Sequence, residues 1–197
     1  MSDRIGILLL AAGRGTRFGQ ASKMLGTLDG KPLVRHAAES AVAAKLGPVA
    51  VVIGAHGAAI RQALAGLDLR FIDNPAYADG LSTSLRCGLD ALPEPDGIIV
   101  MLGDMPRVRP SHLATLAAAF LAADPVPAAI VPVHRGVRGN PVLLNRALLA
   151  PDLASLTGDH GAGRLLAART DVVEWEMDAA VTFDIDTKAA LIAAAHA

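Results

Sequence analysis

Along this chain, short unbroken apolar runs alternate with longer segments of helical spacing. Ile5 to Ala12 is almost continuously apolar, without period-2 alternation. A strand buried on both faces of a parallel sheet reads that way. Pro32 opens a segment in which Leu33, Val34, Ala37, Ala38, Ala41 and Val42 recur at helical spacing to about Leu46, where Gly47-Pro48 stops it. Val49 to Ile53 is a second buried strand, Gly57 to Ala65 a second helix ending at Gly66, and Leu69 to Ile72 a short third strand. Ser82 to Leu92 reads as a helix with Ser82 or Thr83 as N-cap, Gly97 to Leu102 as a buried strand, and Ser111 to Ala123 as a helix. Ala128 to Val133 is a strand and Leu148 to Leu156 a helix. Val172 to Met177 and Ala180 to Ile185 read as an antiparallel edge pair before a last helix, Thr187 to His196. The alternation predicts a single α/β domain over 1–197, Rossmann-like and doubly wound, with a mostly parallel sheet, right-handed crossovers and a small antiparallel edge.

Composition narrows this picture. Hydrophobic residues make up 52% of the chain but aromatics only 3%, so Ala, Val, Leu and Ile must build the core, which suits close packing of helices on a sheet. The formal net charge of −1 supplies no basic excess to release counterions from nucleic acid. The single cysteine, Cys87, excludes an intrachain disulfide and any multi-cysteine metal site. No uncharged run approaches the ~18 residues of a membrane-spanning helix, and no signal-type segment is evident, so the expectation is a cytoplasmic protein without a membrane partner.

The candidate chemistry begins where the first strand ends. Gly13, Gly15 and Gly19 are interleaved with Arg14 and Arg17 and followed by Lys23. Glycines let backbone approach a ligand closely, while free N–H groups and cations attract an anion. Two better-known phosphate loops do not fit: Phe18 stands where the dinucleotide fingerprint needs its third glycine, and Gly30-Lys31 is followed by Pro32 rather than Ser or Thr. Asp104, in Gly103-Asp104-Met105-Pro106, follows another buried strand. In a parallel sheet, ligands bind beyond the carboxyl ends of the strands, so Asp104 should meet the Gly13–Lys23 loop. A carboxylate beside a phosphate loop makes electrostatic sense when a divalent cation lies between them, and Mg²⁺ favours carboxylates together with phosphate oxygens. Period-2 alternation puts Asp184 and Asp186 on one face. The histidines show no ligand spacing, and Cys87 reads as a small buried hydrophobe.

Leu10-Ala11-Ala12-Gly13-Arg14-Gly15-Thr16-Arg17-Phe18-Gly19, then Lys23 and Gly30-Lys31-Pro32-Leu33, resembles the MobA-like branch of nucleotidyltransferases. So do Asn74-Pro75 with Gly80, Ser84 and Gly88, the Gly-Asp-Met-Pro segment, Gly139-Asn140-Pro141-Val142, Gly158-Asp159-His160-Gly161-Ala162 and Asp184-Ile185-Asp186-Thr187. An extra Gly163 before Arg164 departs from the family pattern, as do Lys188 and Ala190 after Thr187. The resemblance implies a nucleotide-diphospho-sugar transferase type of fold, with 1–110 mainly binding NTP and 111–197 mainly the acceptor. It implies Arg17, Lys23 and Asp104 as catalytic residues, and Leu10, Ala11, Ala12, Gly13, Arg14, Gly15, Lys23, Asn74, Gly80, Ser82 and Ser84 as nucleotide-binding. Asn140, Pro141 and Arg138 fall on the acceptor side. Asp104 and Asp186, the latter preferred to Asp184, would hold Mg²⁺ or Mn²⁺. The Leu-Ala-Ala-Gly form is nearest to the molybdenum cofactor (molybdopterin) cytidylyltransferases. CTP and a molybdopterin-type acceptor are then the implied substrates, and a molybdoenzyme or its maturation chaperone the implied protein partner.

Other readings stay open at this stage: guanylyl transfer to the same cofactor, nucleotidyl transfer to a sugar 1-phosphate, a nicotinamide-dependent oxidoreductase and a non-catalytic nucleotide sensor. Phe18 counts against the oxidoreductase, as does Ile53-Gly54-Ala55-His56 where a ribose-binding acid would stand. A sensor would be expected to lack Lys23 or Asp104, and both are present.

Overall fold

The computed structural model describes residues 4–15, 18, 22–92, 95–159 and 161–196. Strand β1 (Ile5–Ala11) is buried along its whole length, as its unbroken apolar run requires. It lies between β4 (Val49–Ile53) and β6 (Gly97–Leu102), both parallel to it, and β5 (Arg70–Asp73) continues the parallel set beyond β4. The main sheet runs on through β9 (Val142–Asn145), β7 (Ala129–His134) and β10 (Val172–Glu176), giving the order β10-β7-β9-β6-β1-β4-β5, with β8 (Val137–Arg138) paired to β7. A separate antiparallel pair is formed by β2 (Thr27–Leu28) and β3 (Lys31–Pro32).

Alternate β1 side chains feed two cores. Ile5, Ile7, Leu9 and Ala11 pack with α1 (Leu33–Ala43), α2 (Gly57–Ala63) and α4 (Pro110–Ala122). Leu8 and Leu10 pack on the other face with α3 (Leu81–Ala91), α5 (Arg146–Ser155) and α6 (Ala162–Ala167). Each face is therefore covered by helices, the doubly wound arrangement expected from the alternating pattern. Gly88 lets α3 lie close on β1, because a Cβ there would sit 2.3 Å from Leu8 Cδ1. A third, smaller cluster joins Phe18, Leu28, Leu33 and Ile185, with Leu191 of α7 (Lys188–Ala194) packed against it.

Several boundaries differ from the sequence expectation, each for a local reason. Ala180 to Ile185 is not a strand. Asp178 caps a 3-10 turn at Ala179–Thr182 by accepting from the Ala180 amide at 3.0 Å. β10 therefore has no antiparallel partner there and pairs parallel with β7. The four-residue run Val142–Asn145, to which the sequence pattern assigns no element, is a fully buried strand inserted antiparallel between β6 and β7. Pro32 is the N-cap of α1 rather than its first helical residue. That helix ends at Ala43, with Lys45 at φ 53 turning the chain two residues before Gly47. The N-cap of α3 is Gly80, not Ser82 or Thr83. No described helix is long and apolar enough to cross a membrane.

Candidate active site

The strand order reverses direction at β1: one crossover series leads to β4 and β5, and the chain then returns to β6 on the other side. Such a reversal opens a crevice at the carboxyl ends of the strands. The loop after β1 and the segment after β6 both enter it. Gly103 makes this approach possible, since a Cβ there would lie 2.8 Å from Met24 Sδ, and its amide donates to the Leu10 carbonyl at 3.1 Å. Asp104 is thereby fixed beside the β1 loop.

The end of the chain is spliced onto this position. The Ile185 amide donates to the Asp104 carbonyl at 3.1 Å, and the Ile185 side chain is fully buried in the small third cluster. Asp184 and Asp186 flank this anchored residue. One carboxylate oxygen from each of Asp104, Asp184 and Asp186 falls within 4.8 Å of the others. The three carboxylates converge, but an anchored loop rather than the alternation of a strand brings Asp184 and Asp186 together.

Lys23 lies among these acids. Its Nζ is 2.5 Å from Asp104 Oδ2 and donates to Asp186 Oδ1 at 2.7 Å. The lysine and Asp104 side chains are 14% and 8% exposed, while Asp186 is 46% exposed, so the Asp104 contact is the better shielded from solvent. Burial alone would lower the Lys23 pKa; Asp104 and Asp186 outweigh it and hold the ammonium above the ordinary lysine value. Burial pushes the Asp184 carboxyl above the usual carboxylate range, and the Asp186 and Asp104 charges add to that shift.

This donor set fits a divalent cation. Asp104 Oδ1 is buried and makes no hydrogen bond. An orphaned buried carboxylate oxygen is costly unless something binds it. Three converging carboxylates of hard oxygen character suit Mg²⁺ or Mn²⁺.

A cavity of about 460 Å³ opens beside the cluster, a volume within the range of small-molecule sites. Leu10, Ala12, Gly13, Arg14, Gly15, Lys23, Gly80, Ser84 and Asp104 all line it. Ala11, Asn74 and Ser82 do not. Asn74 is instead a buried latch: its amide group donates to Thr83 Oγ1 at 2.9 Å and Ser84 Oγ at 3.0 Å, and its Oδ1 accepts from the Ala76 amide at 3.0 Å. Ser82 is fully buried in the first turn of α3, where its amide donates to the Gly158 carbonyl at 3.1 Å. Arg17 lies outside the described residues. Sequence reasoning did not single out Tyr77, which also lines the cavity and has the Arg14 guanidinium 5.6 Å from its ring centroid. Asp159 reaches the same cavity from a distant segment. An aromatic within the Asn74–Gly80 loop was the available signal for Tyr77; Asp159 carried none beyond its motif.

On the far side of Leu102, Arg138 and Asn140 line two smaller cavities of about 270 and 160 Å³. The first is walled mainly by apolar residues such as Leu85, Val131 and Leu166; the second includes Asp184. Pro141 lines neither. The Asn140 amide donates to the Val181 carbonyl at 2.8 Å, which ties this turn to the 3-10 segment before Asp184. Arg138 is held by Glu174 at 2.7 Å and donates to the Leu166 carbonyl at 3.2 Å.

Comparison with known proteins gives a consistent setting. A model of the MobA-like NTP transferase domain matches residues 7–173. The bifunctional protein GlmU of Halorhodospira halophila is 35% identical over 121 residues, covering 60% of this chain and 25% of that protein. The chain thus spans about a quarter of the length of the curated relatives it matches. Rv0371c from Mycobacterium tuberculosis H37Rv superposes with a TM-score of 0.86 at 26% identity, covering 100% of both chains. A complex of that protein with manganese superposes at 0.80. The molybdopterin-guanine dinucleotide biosynthesis protein A of Archaeoglobus fulgidus shares the fold, with a TM-score of 0.73 at 20% identity over 97% of each chain.

Proposed function

The chain belongs to the MobA-like NTP transferase family, and from that premise we propose that it moves CMP from CTP onto the phosphate of molybdopterin and releases pyrophosphate. The observation that carries this reading is the contact of Lys23 with Asp104 and Asp186, with the Asp184 carboxylate in the same cluster, where Lys23 and Asp104 line the nucleotide-sized cavity. In the reaction, an acceptor phosphate oxygen forms a bond to the α-phosphorus of CTP. The bond from that phosphorus to the bridging oxygen of the β-phosphate breaks, and pyrophosphate leaves with the electron pair.

Such chemistry depends on alignment and charge neutralisation rather than on a covalent nucleophile. Arg14 and Lys23 would bind the triphosphate, with the backbone of Gly13 and Gly15 close to it. Arg138 and Asn140 would orient the acceptor beyond Leu102. Asp104, Asp184 and Asp186 would hold Mg²⁺ or Mn²⁺, which when bound neutralises charge on the phosphates. The crystal structure of the related Rv0371c in complex with manganese supports a divalent cation as part of this reading. A molybdoenzyme or its maturation chaperone would receive the product.

The proposed base is cytosine. Ala12 lines the cavity just beyond β1, where a methyl would crowd a purine more than a pyrimidine. Steric fit of this kind discriminates by about 10–200-fold. The test is competition between equal CTP and GTP with Mg²⁺ and molybdopterin, resolved by the mass of the product. We expect the CMP adduct to predominate in that range and Ala12→Gly to relax the preference toward GTP. Predominant GMP transfer would move the assignment to guanylyl transfer, and transfer only to sugar 1-phosphates would replace the acceptor.

A further inference from the structure

We infer that Lys23 guards the carboxylate cluster against free divalent cations, so that cation binding is coupled to the arrival of nucleotide. The inference rests on the nucleotide-binding reading above but concerns the protein before any nucleotide is present.

An ammonium and a divalent cation compete for the same carboxylate oxygens. Here the ammonium already engages Asp104 Oδ2 and Asp186 Oδ1, leaving the buried Asp104 Oδ1 without a partner. A cation entering from solution must therefore displace Lys23, share its oxygens, or bind Asp104 Oδ1 against the repulsion of an ammonium on the other oxygen of the same carboxylate. The backbone of Lys23 is held in place: its carbonyl accepts from the Gly26 amide at 3.0 Å, and the neighbouring Met24 side chain is buried. Its long side chain is the part that can move, and it lines the nucleotide cavity together with Arg14 and Gly15. From one anchored position the ammonium can face the carboxylates or a triphosphate in that cavity. Phosphate that draws Lys23 away frees the two oxygens for a cation, and a cation at the carboxylates repels Lys23 toward phosphate. Nucleotide and cation then raise each other's affinity by the same factor, as linkage requires, typically ~5–150-fold.

The decisive experiment contains no nucleotide and no acceptor. Mn²⁺ is titrated into the full chain and into its Lys23→Met and Lys23→Arg variants, and binding is followed by calorimetry or by the electron paramagnetic resonance of free Mn²⁺. The expected result is at least about tenfold tighter Mn²⁺ binding by Lys23→Met than by the unaltered chain, within the usual coupling range. Lys23→Arg, which keeps the charge, should stay close to the unaltered protein. Equal or weaker binding by Lys23→Met overturns the inference.

Because Lys23→Met leaves carboxylates clustered without a counter-charge, its thermal unfolding is measured with and without Mn²⁺. A larger Mn²⁺-dependent rise in midpoint than the unaltered chain shows is the same coupling read through stability. A variant that refolds only with Mn²⁺ also supports the inference. One that stays unfolded even with Mn²⁺ overturns it, since the acids then need the ammonium itself and no cation substitutes for it. Failure here leaves the transfer reaction standing, and failure of CTP or molybdopterin as substrates leaves this result untouched.

Discussion

At the β1/β6 end of the cleft, Lys23 and Asp104 are shielded from solvent and turned on one another. Lys23 and Asp104 are 14% and 8% exposed, they meet at 2.5 Å, and one Asp104 oxygen has no hydrogen bond. At the β7/β9 end, Arg138 is 37% exposed and already engaged by the half-exposed Glu174. Exposed ion pairs are screened and contribute ~0–1 kcal/mol, whereas buried groups left incompletely paired are costly and persist where a ligand completes them. On the proposed function, the first end would serve a charged transition state and the second would receive and orient the acceptor. On this account, substitutions at the first end should act on turnover and those at the second on acceptor affinity.

The largest effect is expected for Asp104→Asn. Losing one cation-bridging charge should remove several kcal/mol of transition-state stabilisation, a fall in kcat of at least about a hundredfold. Circular dichroism should show the fold retained, because the backbone bonds of Asp104 and Gly103 remain. Near-normal rates at saturating Mg²⁺ would break the comparison at its stronger side.

Lys23→Ala comes next. A charge-assisted hydrogen bond contributes ~1.5–3 kcal/mol, so CTP binding measured by calorimetry with Mg²⁺ present should weaken by roughly 10–100-fold, with turnover falling as well. At the other end, Arg138→Ala should raise the acceptor KM up to about tenfold while leaving kcat near its original value; a collapse of kcat would place Arg138 in the transition state. The smallest effect is expected for Lys45→Ala, at an exposed position past the end of α1, where stability and turnover should change by no more than ~0.5 kcal/mol.

The same contrast explains what was legible in the sequence. The β1 end was readable because a fully buried strand has an unbroken apolar run and ligands bind beyond the carboxyl ends of such strands; Gly13, Arg14, Lys23 and Asp104 stand together around one cavity there. The β7/β9 end hid its architecture. Val142–Asn145 is only four residues long, and its antiparallel insertion depends on partners more than forty residues away in β6. The apolar residues from Ala180 to Ile185 suggested a strand, but Val181 and Ile185 are buried by separate anchors, Asn140 and Asp104, rather than by a ladder. Asn74 shows what a motif leaves unsaid. The resemblance placed it by the nucleotide, and its side-chain bonds go to its own loop and helix α3.

The division of labour between the two ends is tested most directly by pyrophosphate release from Mg-CTP, titrated with molybdopterin, for Asp104→Asn and Arg138→Ala side by side. The account predicts that Asp104→Asn stays slow at every acceptor concentration, whereas Arg138→Ala regains nearly full turnover once acceptor is raised about tenfold. Recovery of Asp104→Asn at high acceptor, or a loss of turnover in Arg138→Ala that acceptor does not restore, would contradict it.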